Sequence, residues 1–330
     1  MRAAMCRSHG APEAVTVEDI PDPVPGPDEV RVSVAAAAVN FPDVLLVANE
    51  YQVHVPVPFV VGSELAGRVD EVGTNVREFR VGDRVFGATM VGAFAEKAVV
   101  HAAGLSRTPD GVDDASAAAF GVAHRTAYHA LRSVASVQSG DEVIVLGAGG
   151  GVGLAAVQVA TVLGASVTAI ASSDEKLDVA KACGATRTVQ PRAGELRAQL
   201  RKVLPEGADV VLDPVGGDVA EPALRALRWG GRFVTVGYAS GEIPRIPLNL
   251  VLLKGVTILG YDARSFMTHD PERAQRDERE LMDLLAAGDL KPHIGARFTL
   301  DDTPAALRYV ADRRAIGKVV IDVRPPVTPR

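Results

Sequence analysis

Two groups of residues in this chain have types and spacing suited to holding a phosphorylated ligand. The first is the run Val143-Ile-Val-Leu-Gly-Ala-Gly-Gly-Gly-Val-Gly153, apolar and then glycine-rich, followed by the helix-forming stretch Leu154–Leu163. A strand that turns this tightly lets a phosphate approach the backbone, and the helix behind it offers N–H groups and the positive end of its dipole. The workable register is Ala148-x-Gly150-x-x-Gly153 rather than a literal GxGxxG. Ala148, Gly150, Gly151, Val152 and Gly153 are therefore candidate pyrophosphate contacts, although a turn of this kind also serves plain strand–helix packing. The second group follows Ala171, where a dinucleotide sheet that prefers NAD carries an acidic residue for the ribose. Here Ser172, Ser173 and, one helical turn on, Lys176 stand instead. Two hydroxyls and an ammonium suit a 2′-phosphate, so NADPH is the expected cofactor. The serines equally suit a helix N-cap, and Asp174 and Glu175 suit the first turn that would follow.

These residues need a sheet to position them. Apolar runs at 143–146, 165–171, 185–189, 209–213, 232–237 and 256–261 alternate with helical stretches. That spacing specifies an α/β doubly wound parallel sheet with right-handed crossovers and strand order 3-2-1-4-5-6. Gly237 and Tyr238 close the fifth strand and are expected at the nicotinamide end of the cofactor, while Asp213–Gly217 closes the fourth near the adenosine ribose. Residues 1–115 read differently, as short β runs (29–34, 64–72, 83–87) between Pro and Gly turns. One early helix is expected at 42–48, started by Pro42, with Asn40 as a candidate cap. The C-terminal part holds a charged helix at 271–287 and short elements ending at Val323. These are too few for a third domain, so the segment is expected to return to the first, and the tail Pro325–Arg330 to fray.

Composition narrows the classes. The 330 residues are 47% hydrophobic and 23% charged, as in a globular enzyme. A net charge of −6 offers no basic face for nucleic acid, and no apolar run is long enough to span a membrane. Two cysteines, Cys6 and Cys183, exclude a disulfide framework, and with no signal-peptide core at the N-terminus a cytoplasmic location is expected.

A set of ordered motifs adds a resemblance: AVNFPD (38–43), PFVVGSELAG (58–67), VGDRVF (81–86), GAFAE (92–96), TAYHAL (126–131), DPVGG (213–217) and AIGKVVI (315–321). Together they resemble the zinc-free quinone oxidoreductase branch of the medium-chain dehydrogenases/reductases, over about residues 1–323. The resemblance implies a GroES-like catalytic domain at 1–116, completed by 259–330, and an NADPH-binding Rossmann domain at 117–258. It places Asn40, Ser63 and Val122 where zinc-dependent relatives carry their catalytic ligands. None supplies a thiolate or imidazole, so no metal is expected.

Without a Lewis acid the expected partner is a small, already electrophilic acceptor, a quinone or enone. The resemblance brings Asn40, Tyr51 and Thr126 to the nicotinamide and acceptor. Asn40 could equally be a helix cap and Tyr51 a loop anchor. Thr126 is read as opening a helix. Relatives also use a tyrosine after the third strand; Pro191 stands there, with Arg192 as a substitute contact. His124 and Arg125 could put a cation beside the acceptor, or make a local ion pair. No side chain stands out as an acid, and water is the expected source of the final proton. The alternatives are an enoyl or alkenal double-bond reductase, an acryloyl-CoA type among them, and a low-turnover NADPH-binding structural or sensor protein. The strand at 254–260, β-branched and at the sheet edge, is expected to pair with its copy in a homodimer.

Overall fold

The computed structural model describes residues 1–324; the expectation for Pro325–Arg330 lies outside the described residues. From the N-terminus run strands β1 (Arg2–Cys6), β2 (Val15–Asp19) and β3 (Glu29–Val39), helix α1 (Phe41–Ala48), then β4 (Phe59–Val60), β5 (Glu64–Val72), β6 (Arg84–Ala88), β7 (Lys97–His101), β8 (Leu105–Arg107) and α2 (Asp114–Tyr128). Strict alternation follows: β9 (Glu142–Leu146), α3 (Gly151–Val162), β10 (Ser166–Ile170), α4 (Asp174–Ala182), β11 (Arg187–Val189), α5 (Leu196–Val203), β12 (Ala208–Asp213), α6 (Ala220–Arg225), β13 (Leu227–Thr235), α7 (Asn249–Lys254) and β14 (Thr257–Gly260). The chain goes on through α8 (Ala263–His269), α9 (Pro271–Ala287), β15 (Ile294–Thr299), α10 (Thr303–Ala311) and β16 (Lys318–Asp322).

Two units result, Met1–Val122 with Pro292 onward, and Ala123–Lys291. In the first, β3 is long because its residues alternate between a buried and a half-exposed face before burying both. It pairs antiparallel with β5, β7 and β16, inside a sheet of order β15-β16-β3-β5-β6-β8. A smaller sheet, β2-β1-β4, stands beside it in the same unit. In the second unit all six strands are parallel in the order β11-β10-β9-β12-β13-β14, the expected 3-2-1-4-5-6. The central strands are buried on both faces, which is why they read in sequence as unbroken apolar runs. Among the described residues no helix is long and apolar enough to cross a membrane.

Four expectations are corrected. The C-terminal return to the first unit starts at Pro292, not at 259. Helix α9 stays with the second unit, where its carboxylates hold Arg125 and Tyr128 at the end of α2 and the π-helical turn His129–Val134. Asp277, fully buried, accepts from the Ser133 hydroxyl (2.5 Å), lies 3.0 Å from His129 Nδ1, and pairs with its neighbour Arg276. The division near the start of the second unit falls inside α2, after Val122 rather than 116. Thr126 accordingly lies in the last turns of a 15-residue helix and does not open one. Finally, the edge strand begins at Thr257: Lys254 ends α7, and Gly255 takes a left-handed conformation, φ 59°, that breaks helix from strand.

Candidate functional site

The second unit presents a phosphate cradle. Gly147 turns the chain at the end of β9 with φ +61°, a conformation that suits glycine. A Cβ at Gly153 would sit 2.1 Å from the Gly147 carbonyl oxygen, so only glycine allows α3 to start this close to the strand. Gly150 is the N-cap of α3, and no side chain caps the helix there. The first-turn N–H groups of Gly151, Val152 and Gly153 have no acceptor within the helix. Ala148 and Gly150 were expected among the donors, but their N–H groups are spent on Ile170 O (2.9 Å) and Gly147 O (3.0 Å). They shape the turn, and Gly147, outside the expected register, is its pivot.

Around the turn the other candidates separate. Ser173 is the N-cap of α4, its hydroxyl accepting from Lys176 N at 3.4 Å, so the capping alternative holds for it. Ser172 is exposed, its carbonyl accepting from Gln190 Nε2. The Lys176 stem lies against Gly149, where a Cβ would come within 2.6 Å of it. Partial burial of the ammonium pushes its pKa below the usual lysine value. Arg192 is exposed and faces Glu195 at 3.7 Å. At the end of β12, Asp213 Oδ1 accepts from Val215 N and Gly216 N, both at 2.8 Å; Oδ2 is buried without a partner among the described residues, and burial raises the carboxyl's pKa. A Cβ at Gly216 would sit 2.9 Å from the Tyr238 ring, so the turns after β12 and β13 touch, with Gly237 between them and Tyr238 partly exposed.

Arg125 does not offer a free cation. Glu278 takes its guanidinium in a two-point pair at 2.7 and 2.9 Å, which is the local ion pair rather than the anion-binding alternative. His124 is buried with Nε2 3.3 Å from Gln158 Oε1. Thr126 is half-buried on the same helix.

The first unit holds a buried polar cluster that sequence reasoning missed in its two central members. The register Val319↔Val39 between β16 and β3 sets Lys318 opposite Asn40, and Ala37↔Leu65 sets Glu64 one residue along on β5. Lys318 Nζ donates to Asn40 Oδ1 (2.6 Å), Glu64 Oε2 (3.0 Å) and Val39 O (3.4 Å). Asn40 Nδ2 also donates to Glu64 Oε2 at 3.0 Å, and Glu64 Oε1 accepts from Val122 N at 2.6 Å. Glu64 is wholly buried and Lys318 4% exposed.

Asn40 does sit at the N-cap of α1, with Asp43 Oδ2 accepting from its N–H at 2.7 Å. Its side-chain amide, expected to meet cofactor or acceptor, is engaged at both ends inside the protein. Asp43 is fully buried too; burial, the largest influence, pushes its pKa up to about 6 against the pull of the Asn40 N–H, Ser63 and Lys318. Tyr51 packs on this unit's hydrophobic core, as the anchor alternative required.

Residues 26–110 match the alcohol dehydrogenase GroES-like domain and residues 151–287 the family described as zinc-binding dehydrogenase. Quinone oxidoreductase-like protein 2 of Mus musculus is 37% identical over 326 residues, 98% of this chain and 92% of that protein. The Escherichia coli quinone oxidoreductase solved with NADPH superimposes with a TM-score of 0.90 at 26% identity, over 98% of this chain and all of that one. A mycobacterial protein solved with NADPH gives a TM-score of 0.90 at 31% identity, over 97% of this chain and 99% of that one.

The second family description implies zinc, and the residues do not fit it. Asn40, Ser63 and Val122 do surround one place, yet they bring an amide, a hydroxyl and an aliphatic side chain. The Lys318 ammonium already sits on the Asn40 oxygen, where a second cation would be repelled.

Breaking a buried ion pair from one side strands a charge without water. Lys318→Met should therefore cost about 3–5 kcal/mol in denaturant-measured stability, and adding Glu64→Gln should recover a large part of it. A Lys318→Met loss below about 1 kcal/mol, with no recovery in the double variant, would contradict this account of the cluster.

Proposed function

This chain belongs to the medium-chain dehydrogenase/reductase superfamily, with quinone oxidoreductase-like proteins as its relatives, and on that premise we propose that it is a metal-independent, NADPH-dependent quinone oxidoreductase. The observation that carries the reading is the uncapped start of α3 behind the Gly147 turn, with the Lys176 stem lying on Gly149 at its side. In this reading Gly151, Val152 and Gly153 donate backbone N–H groups to the pyrophosphate, with the helix dipole behind them. Lys176, with Ser172 beside it, takes the 2′-phosphate. The buried, unpartnered Asp213 Oδ2 is a polar acceptor at the carboxyl end of the sheet, where ligands of doubly wound folds bind. Gly237 and Tyr238 line the same rim.

The nicotinamide supplies a hydride from its C4. The protein's part is to bind and orient it and to keep water away. Lacking a Lewis acid to polarise an unactivated carbonyl, it suits acceptors that are electrophilic by themselves, which quinones are. Asn40, held by Lys318 and Glu64, organises its end of the first unit, and Tyr51 and Thr126 are the remaining candidates for contact with the acceptor. We place the protein in the cytoplasm.

We also propose a homodimer. β14 ends the six-stranded sheet, and beside it Trp229, Leu248, Leu252 and Leu253 are 70–81% exposed. An open edge and exposed large apolar side chains both call for a cover, and pairing across a two-fold axis covers both. Light scattering should return twice the 34.5 kDa chain mass. A monomer at micromolar concentration would refute the dimer.

For the cofactor, Lys176→Glu should weaken NADPH binding by about 1–3 kcal/mol and leave NADH binding nearly unchanged. Fluorescence titration of both cofactors decides it; wild-type protein that binds NADH more tightly would overturn the assignment.

A further inference from the structure

The pairing of β1 with β4 brings two histidines together in the first unit. Met5 lies opposite Val60 and Cys6 opposite Phe59, antiparallel, so the chain leaving β1 runs beside the chain approaching β4. His9 is on the first of these segments and His54 on the second. Gly10 N donates to Val47 O at 2.9 Å, which also ties the His9 segment to the end of α1. The two imidazole rings have centroids 5.6 Å apart and planes tilted by 48°. The Phe59 ring, part of the hydrophobic core, lies 6.0 Å from that of His9.

The hydrogen bonds of this pair are half made. His54 Nδ1 lies 2.8 Å from Asn49 Oδ1. An amide oxygen can only accept, so the proton is on Nδ1 and Nε2 keeps a bare lone pair. A metal-binding histidine is arranged this way, with its second nitrogen anchored to an oxygen. Asn49 is itself fixed as the C-cap of α1, in the left-handed conformation at φ 59°. At His9 both ring nitrogens are buried, and neither has a hydrogen-bond partner among the described residues. A neutral imidazole has one nitrogen that donates and one that accepts, and leaving both unmet in a buried place is costly.

We propose that His9 and His54 bind one divalent transition-metal ion, of which Zn2+ is the type case, and that the ion braces the loop after β1 against the loop before β4. Two imidazoles on one tetrahedral zinc, at Zn–N distances of about 2.0–2.1 Å, hold their centroids about 5–6 Å apart, and the observed 5.6 Å falls in that range. Imidazole nitrogen selects Zn2+, Ni2+ and Cu2+ over Mg2+ and Ca2+, which take oxygen ligands. Among the described residues no third His, Cys, Asp or Glu joins the pair, so water fills the remaining positions. His54 is exposed, which gives the ion a route from solvent. The site uses none of Asn40, Ser63 and Val122, and the ion has no part in the hydride transfer proposed above.

The test is a calorimetric titration of the chelator-stripped full chain with zinc chloride, alongside a thermal melt. Wild type should bind one equivalent saturably and melt at a higher temperature with zinc than without. Mg2+ should give neither response. His54→Phe, at an exposed position, and His9→Phe, which keeps a ring beside Phe59, should each abolish both the saturable binding and the rise in melting temperature. Asn49→Gly removes the amide but still allows the left-handed backbone. With the His54 tautomer no longer held, that variant should bind zinc about 10–100-fold more weakly. Electron paramagnetic resonance of the wild type loaded with Cu2+ should count two ligating nitrogens. No saturable zinc binding by wild type, or wild-type affinity retained in His54→Phe, would overturn the proposal.

Discussion

A buried ammonium and a buried carboxylate, Lys318 and Glu64, set the terms for the first unit. Neither reaches water, so each of their hydrogen-bonding positions has to be met by the protein. Meeting them uses both ends of the Asn40 amide, the Val39 carbonyl and the Val122 N–H. Those groups belong to β3 and its end, β5, α2 and β16, and the strand register that brings them together is the register of the sheet itself. A one-residue slip of β16 against β3 would carry Lys318 to the opposite face. The pair therefore contributes geometric specificity as much as stability.

The second unit follows a different rule. Among the described residues, α3 begins behind a glycine turn without a side-chain cap. The first unit thus meets the hydrogen bonds of its buried ion pair internally, whereas the second leaves the start of α3 without a side-chain cap.

How legible this was in the sequence depended on the kind of interaction. Parallel strands buried on both faces read as unbroken apolar runs, and their alternation with helical stretches implied the order of β9 to β14. The helix at 41–48 announced itself through Asn40, Pro42 and Asp43. Glu64 and Lys318 sat in plain view within GSELAG and GKVVI, but a single charge in a strand reads as a solvent-facing residue. Only the pairing of β3 with both β5 and β16 reveals that each charge is the other's partner, 254 positions away. For Arg125 the sequence offered an ion pair as one of two alternatives but not its partner, since Glu278 lies 153 residues along the chain. The clue available was one apolar strand in each motif interrupted by one charge of opposite sign.

The most direct measurement is NADPH consumption with a quinone by protein dialysed against a strong chelator and shown by elemental analysis to hold no zinc. The account predicts the full rate of untreated enzyme under these conditions. A rate that disappears with chelation and returns on adding zinc would contradict it.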